Sequence, residues 1–123
     1  MELDKSNMRQ VIIDSANQLK EGLDLAKDIS FDGSPAGGFK NVVVFGIGGS
    51  AMPVDVLNST VQTKIPVYIH RDYDLPEFVD KESLLIFISY SGNTEEVISS
   101  INKALSKKIT SAVGISSGGK LED

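Results

Sequence analysis

Between Asn41 and Ser50 the chain reads NVVVFGIGGS, an unbroken apolar run that stops abruptly in glycines and a hydroxyl. A short continuous run of β-branched and aromatic residues, without polar alternation, describes a strand covered on both faces, the condition of a parallel sheet joined by helical crossovers. The junction recurs at Leu84 to Thr94, LLIFISYSGNT. Both small-residue loops precede a helical pattern, so both are expected at the carboxyl edge of one sheet, where ligands of such sheets bind.

The remaining segments fit that frame. Met8, Ile12, Leu19, Leu23 and Ala26 keep to one side at helical spacing, which predicts one amphipathic packing helix over Ser6 to Lys27. FDGSPAGG, Phe31 to Gly38, is turn-forming. Then follow a strand (Val42 to Phe45), a helix (about Pro53 to Val61), a strand (Val67 to His70), a loop through Leu75-Pro76, a strand (Leu84 to Ser89), a helix (Thr94 to Lys107) and a strand (Ala112 to Ile115). The fold class is α/β, a parallel sheet flanked by helices on both faces. Residues 1–40 are assigned to an N-terminal helix and linker, and 41–123 to the sheet domain. SSGGKLED ends just after a strand, where this architecture continues with a helix and a further strand, so the chain is expected to be a fragment.

Composition narrows the function. At 123 residues there is room for one core, and a net charge of −5 argues against a general nucleic-acid surface. No cysteine means no disulfide and no thiolate nucleophile or ligand. No apolar run approaches the roughly 18 residues that span a membrane, and MELDKSNMRQ lacks the order of a signal peptide. A cytoplasmic location, with neither nucleic-acid nor membrane partner, is the expectation.

Gly46, Gly48 and Gly49 let the backbone turn sharply and approach an anion, with Ser50 and the following amides as donors. Pro53 suits the first turn of the next helix. The plain alternative is a tight strand-to-helix turn with no ligand. In SYSGNT, Ser89, Ser91 and Thr94 place three hydroxyls within six residues at a helix start, which matches the oxygens of a phosphate monoester. Ordinary capping by Asn93 or Thr94, with Glu96 closing a capping box, accounts for part of the same pattern. Gly46 to Ala51 also satisfies G-x-G-x-x-A, but the second strand ends in His70-Arg71, and only Asp72 approximates the ribose-binding carboxylate of a dinucleotide site. Glu95 and Glu96 read as helix-start carboxylates, His70 as a structural side chain or a proton donor near the pocket, and Lys107-Lys108 as a solvated helix end. The residues point to no catalytic group, metal or cofactor.

VVVFGIGGSAMPVDVL (Val42 to Leu57), RDYDLPEFV (Arg71 to Val79), SYSGNTEEV (Ser89 to Val97) and GISSGGKL (Gly114 to Leu121) resemble the sugar isomerase (SIS) domains, specifically the bifunctional phosphoglucose/phosphomannose isomerases. The resemblance covers most of the chain and implies an SIS-type, flavodoxin-like three-layer sandwich. It implies the N-terminal of two SIS domains in a homodimeric, metal-free enzyme that interconverts glucose 6-phosphate or mannose 6-phosphate with fructose 6-phosphate. Gly49, Ser50, Ser89, Ser91 and Thr94 would hold the substrate phosphate. The family's catalytic Glu and His, and an Arg that steadies the enediolate, follow the last residue here, so the chain alone is expected to be inactive. Two rivals are a non-catalytic sugar-phosphate sensor and an NAD-dependent dehydrogenase.

Overall fold

The computed structural model describes residues 4–30 and 35–122, and the chain divides into two units, Met1–Asp32 and Gly33–Asp123. In the second unit β1 (Asn41–Phe45), β2 (Val67–His70), β3 (Ser83–Ile88) and β4 (Ala112–Ile115) form one parallel sheet in the order β2-β1-β3-β4. This is the α/β architecture expected, in the flavodoxin-like strand order. Two helices serve as crossovers, α3 (Met52–Thr60) between β1 and β2 and α4 (Glu95–Ser106) between β3 and β4. Because β2 and β4 lie at opposite edges, right-handed crossovers carry α3 and α4 to opposite faces.

Register shows how the faces are filled. Val43 pairs with Leu85 and Phe45 with Phe87, and these residues form one cluster with Val97 and Ala104 of α4, Leu75, Val79 and Ile109. Val43, Phe45, Leu85 and Val97 are at most 1% exposed, and burying a side chain of that size contributes about 1.5–3 kcal/mol. The other face, beginning with Val42, Leu84, Ile86 and Ile88, is only half-buried, although Val44 and Val54 are buried. The expected even cover on both faces is thus met on the α4 side and is thinner on the α3 side.

In the first unit the single predicted helix is two, α1 (Met8–Ile13) and α2 (Ser15–Ala26), because Asp14 leaves helical geometry at ψ 1°. Its main-chain oxygen accepts from Asn17 and Gln18 while its carboxylate accepts from the Gln10 amide nitrogen, so one residue closes the first helix and opens the second. Neither helix has a buried residue of its own, and Met8, Ile12, Leu19 and Leu23 are exposed. In the predicted turn, Gly38 N–H donates to Pro35 O, while Phe31 to Ser34 lie outside the described residues. Among the described residues no helix is long and apolar enough to cross a membrane.

Candidate functional site

The chain leaves β1 toward one edge of the sheet and leaves β3 toward the other, so the loops after these two adjacent strands part at their carboxyl ends. That parting is the crevice in which doubly wound sheets bind ligands. The loop roots abut: a β carbon on Gly46 would lie 3.3 Å from the main-chain oxygen of Ile88, and Gly46 N–H donates to His70 O. Glycine at 46 lets the first loop start beside the end of β3.

The loop after β3 builds a compact hydroxyl cluster. Ser89 continues the α4-facing side of β3, is 1% exposed, and places its Oγ 2.7 Å from Thr94 Oγ1. Their bond occupies one hydroxyl hydrogen and leaves one. Ser91 is exposed, and its Oγ accepts from Asn93 N–H at 3.3 Å, which leaves the Ser91 hydrogen available. Thr94 is the N-cap residue of α4, as one reading of the sequence held, but its side chain makes no cap. The Asn93–Glu96 capping box is not formed either, since the Asn93 carboxamide bonds elsewhere. The first turn of a twelve-residue helix therefore has no side-chain cap and adds its amides and positive dipole end to the hydroxyls.

Gly49 and Ser50 belong to the loop after β1. With Ile47, Pro53, Ile88 and Tyr90 they line a cavity of about 660 Å³ that continues to Ile115, Ser116 and Ser117. Ser89, Ser91 and Thr94 are not in its lining. The reason is the two-residue period of β3: Ser89 follows Leu85 and Phe87 to the α4 side, whereas Tyr90 follows Ile86 and Ile88 to the thinly covered side. The five predicted residues thus follow two adjacent strands, Gly49 and Ser50 in the loop after β1 and Ser89, Ser91 and Thr94 in the loop after β3.

Other candidates have structural surroundings. His70 packs edge-on to Phe45 at 5.3 Å, and its buried Nε2 has no partner. Burial pushes its pKa down, against a weaker upward pull from Asp72. Asp72 accepts from Tyr73 N–H, and Arg71 pairs with Asp55. Glu95 accepts from the Tyr73 hydroxyl at 3.4 Å. The phenol's pKa is raised, first by the charge of Glu96, then by burial and Glu95. Lys107 and Lys108 are exposed at the end of α4, as read from the sequence.

Two elements were not singled out as site-forming. The first is Ser116 to Leu121, which lies directly against the β3 loop: Ser117 N–H and Oγ donate to Tyr90 O, and Leu121 N–H donates to Gly92 O. Its signal was the adjacent Gly118-Gly119 after two serines. The second is Ser100, fully buried in α4, whose Oγ lies within hydrogen-bond reach of Asp72 O, Asp74 O and Glu96 O and so ties the RDYD loop to that helix. A serine within the apolar stripe of α4 was its only sign.

No family model matches the chain. It is 41% identical over 108 residues to the bifunctional phosphoglucose/phosphomannose isomerase of Thermoplasma acidophilum, covering 86% of this chain and 34% of the relative. It is 37% identical over 118 residues to the enzyme of the same description from Caldicellulosiruptor bescii, covering 94% and 34%. A D-glucosamine-6-phosphate 4-epimerase of Sulfolobus acidocaldarius is 32% identical over 84 residues, covering 68% and 26%. The resemblance read from the sequence is borne out, and the chain spans about a third of the length of these curated isomerases.

Proposed function

We propose, on the premise that this chain is homologous to one third of the bifunctional phosphoglucose/phosphomannose isomerases, that it is the N-terminal SIS domain of an isomerase. Its role is to hold the phosphate of glucose 6-phosphate, mannose 6-phosphate or fructose 6-phosphate. The observation that carries the reading is the start of α4, where Ser89, Ser91 and Thr94 stand at a first turn without a side-chain cap. Thr94 and Ser91 donate to the phosphate oxygens, and Ser89 donates to Thr94 from beneath, which turns the Thr94 hydrogen outward. Gly49 and Ser50 take the side of the ligand nearest β1.

Aldose–ketose isomerisation moves a proton between C1 and C2 and needs a positioned base, with an acid–base group for ring opening. A phosphate remote from those carbons supplies orientation. Glu95 and Glu96 sit in the first helical turn, where they complement the helix dipole, and the one histidine is packed on Phe45. The base and acid therefore come from other parts of the full-length, homodimeric, cytoplasmic enzyme, and this chain alone does not turn over. The epimerase relative, also named for a hexose 6-phosphate, supports phosphate as the shared recognition element.

Coupled measurement of fructose 6-phosphate formation tests the reading. The full-length protein is expected to convert glucose 6-phosphate and mannose 6-phosphate and the 123-residue chain is expected not to. Turnover by the chain that Glu95→Gln and Glu96→Gln abolish would overturn this division of labour. Tight NAD binding without any response to sugar phosphates would replace it with a dehydrogenase.

A further inference from the structure

We infer that Asn93 is a positioning residue of the phosphate loop: with the 116–121 loop it holds three consecutive carbonyls away from the bound anion and turns the Ser91 hydroxyl toward it. The inference rests on the phosphate-binding reading above. A loop that binds an anion must present N–H and O–H groups, yet each of its residues also carries a carbonyl whose negative end repels the ligand. Here each of the three carbonyls has a donor on it. Tyr90 O accepts from Ser117 N–H at 3.1 Å and from Ser117 Oγ, Ser91 O accepts from Asn93 Nδ2 at 3.0 Å, and Gly92 O accepts from Leu121 N–H at 3.1 Å.

Asn93 is the clip between the two loops. Its Nδ2 donates to Ser91 O, its Oδ1 accepts from Lys120 N–H at 3.3 Å, and its own N–H donates to Ser91 Oγ. The last bond occupies a Ser91 lone pair, so the Ser91 hydrogen is free for a ligand. The carboxamide is needed at both ends, because it must donate to one loop and accept from the other. The contact is close as well as polar: a β carbon on Gly119 would overlap Ser91 O and lie 2.7 Å from Asn93 Nδ2.

The experiment measures fructose 6-phosphate affinity calorimetrically for the unsubstituted protein, Asn93→Ala and Asn93→Asp, at pH 7 and again near pH 4.5, with thermal midpoints alongside. Asn93→Ala is expected to bind about tenfold more weakly, the scale of one hydrogen bond. Asn93→Asp is expected to bind more weakly still at pH 7, since its carboxylate cannot donate to Ser91 O and repels the anion. Its deficit relative to the unsubstituted protein should close toward pH 4.5, where a carboxyl of ordinary pKa about 4 begins to carry the missing hydrogen. Recovery of affinity without a matching rise in thermal midpoint separates positioning from a merely structural role. If Asn93→Ala does not fold, the pH dependence of Asn93→Asp alone decides. Unchanged affinity in Asn93→Ala, or a deficit in Asn93→Asp that does not change with pH, overturns the inference alone. Absence of binding by the unsubstituted protein overturns the proposed function and this inference with it.

Discussion

Gly92 has no room for a β carbon: one built there would lie 2.8 Å from the carbonyl carbon of Gly118 and overlap its oxygen. The loop after β3 and the loop after β4 are thereby in main-chain contact, and Gly92 adopts φ +66° to allow it. Gly92→Ala is expected to cost about 3 kcal/mol, combining the left-handed penalty with overpacking against a backbone that cannot yield. Gly48 has φ +56° but nothing within 4 Å of its β-carbon position, so Gly48→Ala should cost only about 1–2 kcal/mol. Denaturant unfolding of both variants checks the order, and equal losses would show that the interlock adds nothing.

Ser100 is expected to matter more than the ion pair beside it. Its buried hydroxyl faces two carbonyls of the RDYD loop, and Ser100→Ala leaves those groups short of a donor at about 1–3 kcal/mol. Lys103 and Asp74 also join α4 to that loop, but their side chains are 47% and 75% exposed, so Lys103→Met should cost under about 1 kcal/mol. Chemical denaturation of the two variants measures both, and a larger loss for Lys103→Met would refute the ranking.

Acid should destabilise the protein through His70. Burial holds its folded pKa below the ordinary 6.5, so the unfolded chain binds the proton more readily. The contribution of neutral His70 is fully present above pH 6.5 and is lost as pH falls from there toward the lowered folded value. Replacing the ring by one that still packs on Phe45, in His70→Phe, should flatten the stability profile below pH 6.5. Parallel profiles for the two proteins would exclude His70 as the cause.

Ser89 and Thr94 should behave as a coupled pair in ligand binding. If Ser89 orients the Thr94 hydroxyl across their 2.7 Å bond, losing either removes one oriented donor to a charged group, about 1–3 kcal/mol. The double replacement by Ala should then fall short of the sum of the singles by at least about 0.5 kcal/mol. Additive losses in fructose 6-phosphate affinity would mean that the two hydroxyls act independently.

The central strands were legible in the sequence because a strand covered on both faces leaves a run of apolar residues that little else produces; β2 and β4 were bounded to the residue, β1 starts one residue earlier than expected, and β3 is displaced by one residue at each end. The break at Asp14 was not legible, since the apolar spacing of Met8, Ile12 and Leu19 continues across it and only the backbone geometry of one residue interrupts the helix. Of the site, the hydroxyls and the helix start could be read from residue types. That Tyr90 lines the cavity with Gly49 and Ser50 whereas Ser89 turns to the α4 side could not, because it follows from the pleat of β3. Nor was the role of Asn93 visible, since its partners are main-chain atoms up to 27 positions away and any residue type supplies those.

An amide NMR titration of the protein with fructose 6-phosphate reads out whether a phosphate monoester binds at the start of α4. Saturable shifts are expected, largest at Ser91, Gly92 and the first-turn amides of Glu95, Glu96 and Val97, and reproduced in direction by inorganic phosphate. Shifts confined to the cavity residues Ile47, Ile115 and Ser116, or no shift in the 89–97 segment at saturating ligand, would exclude binding there.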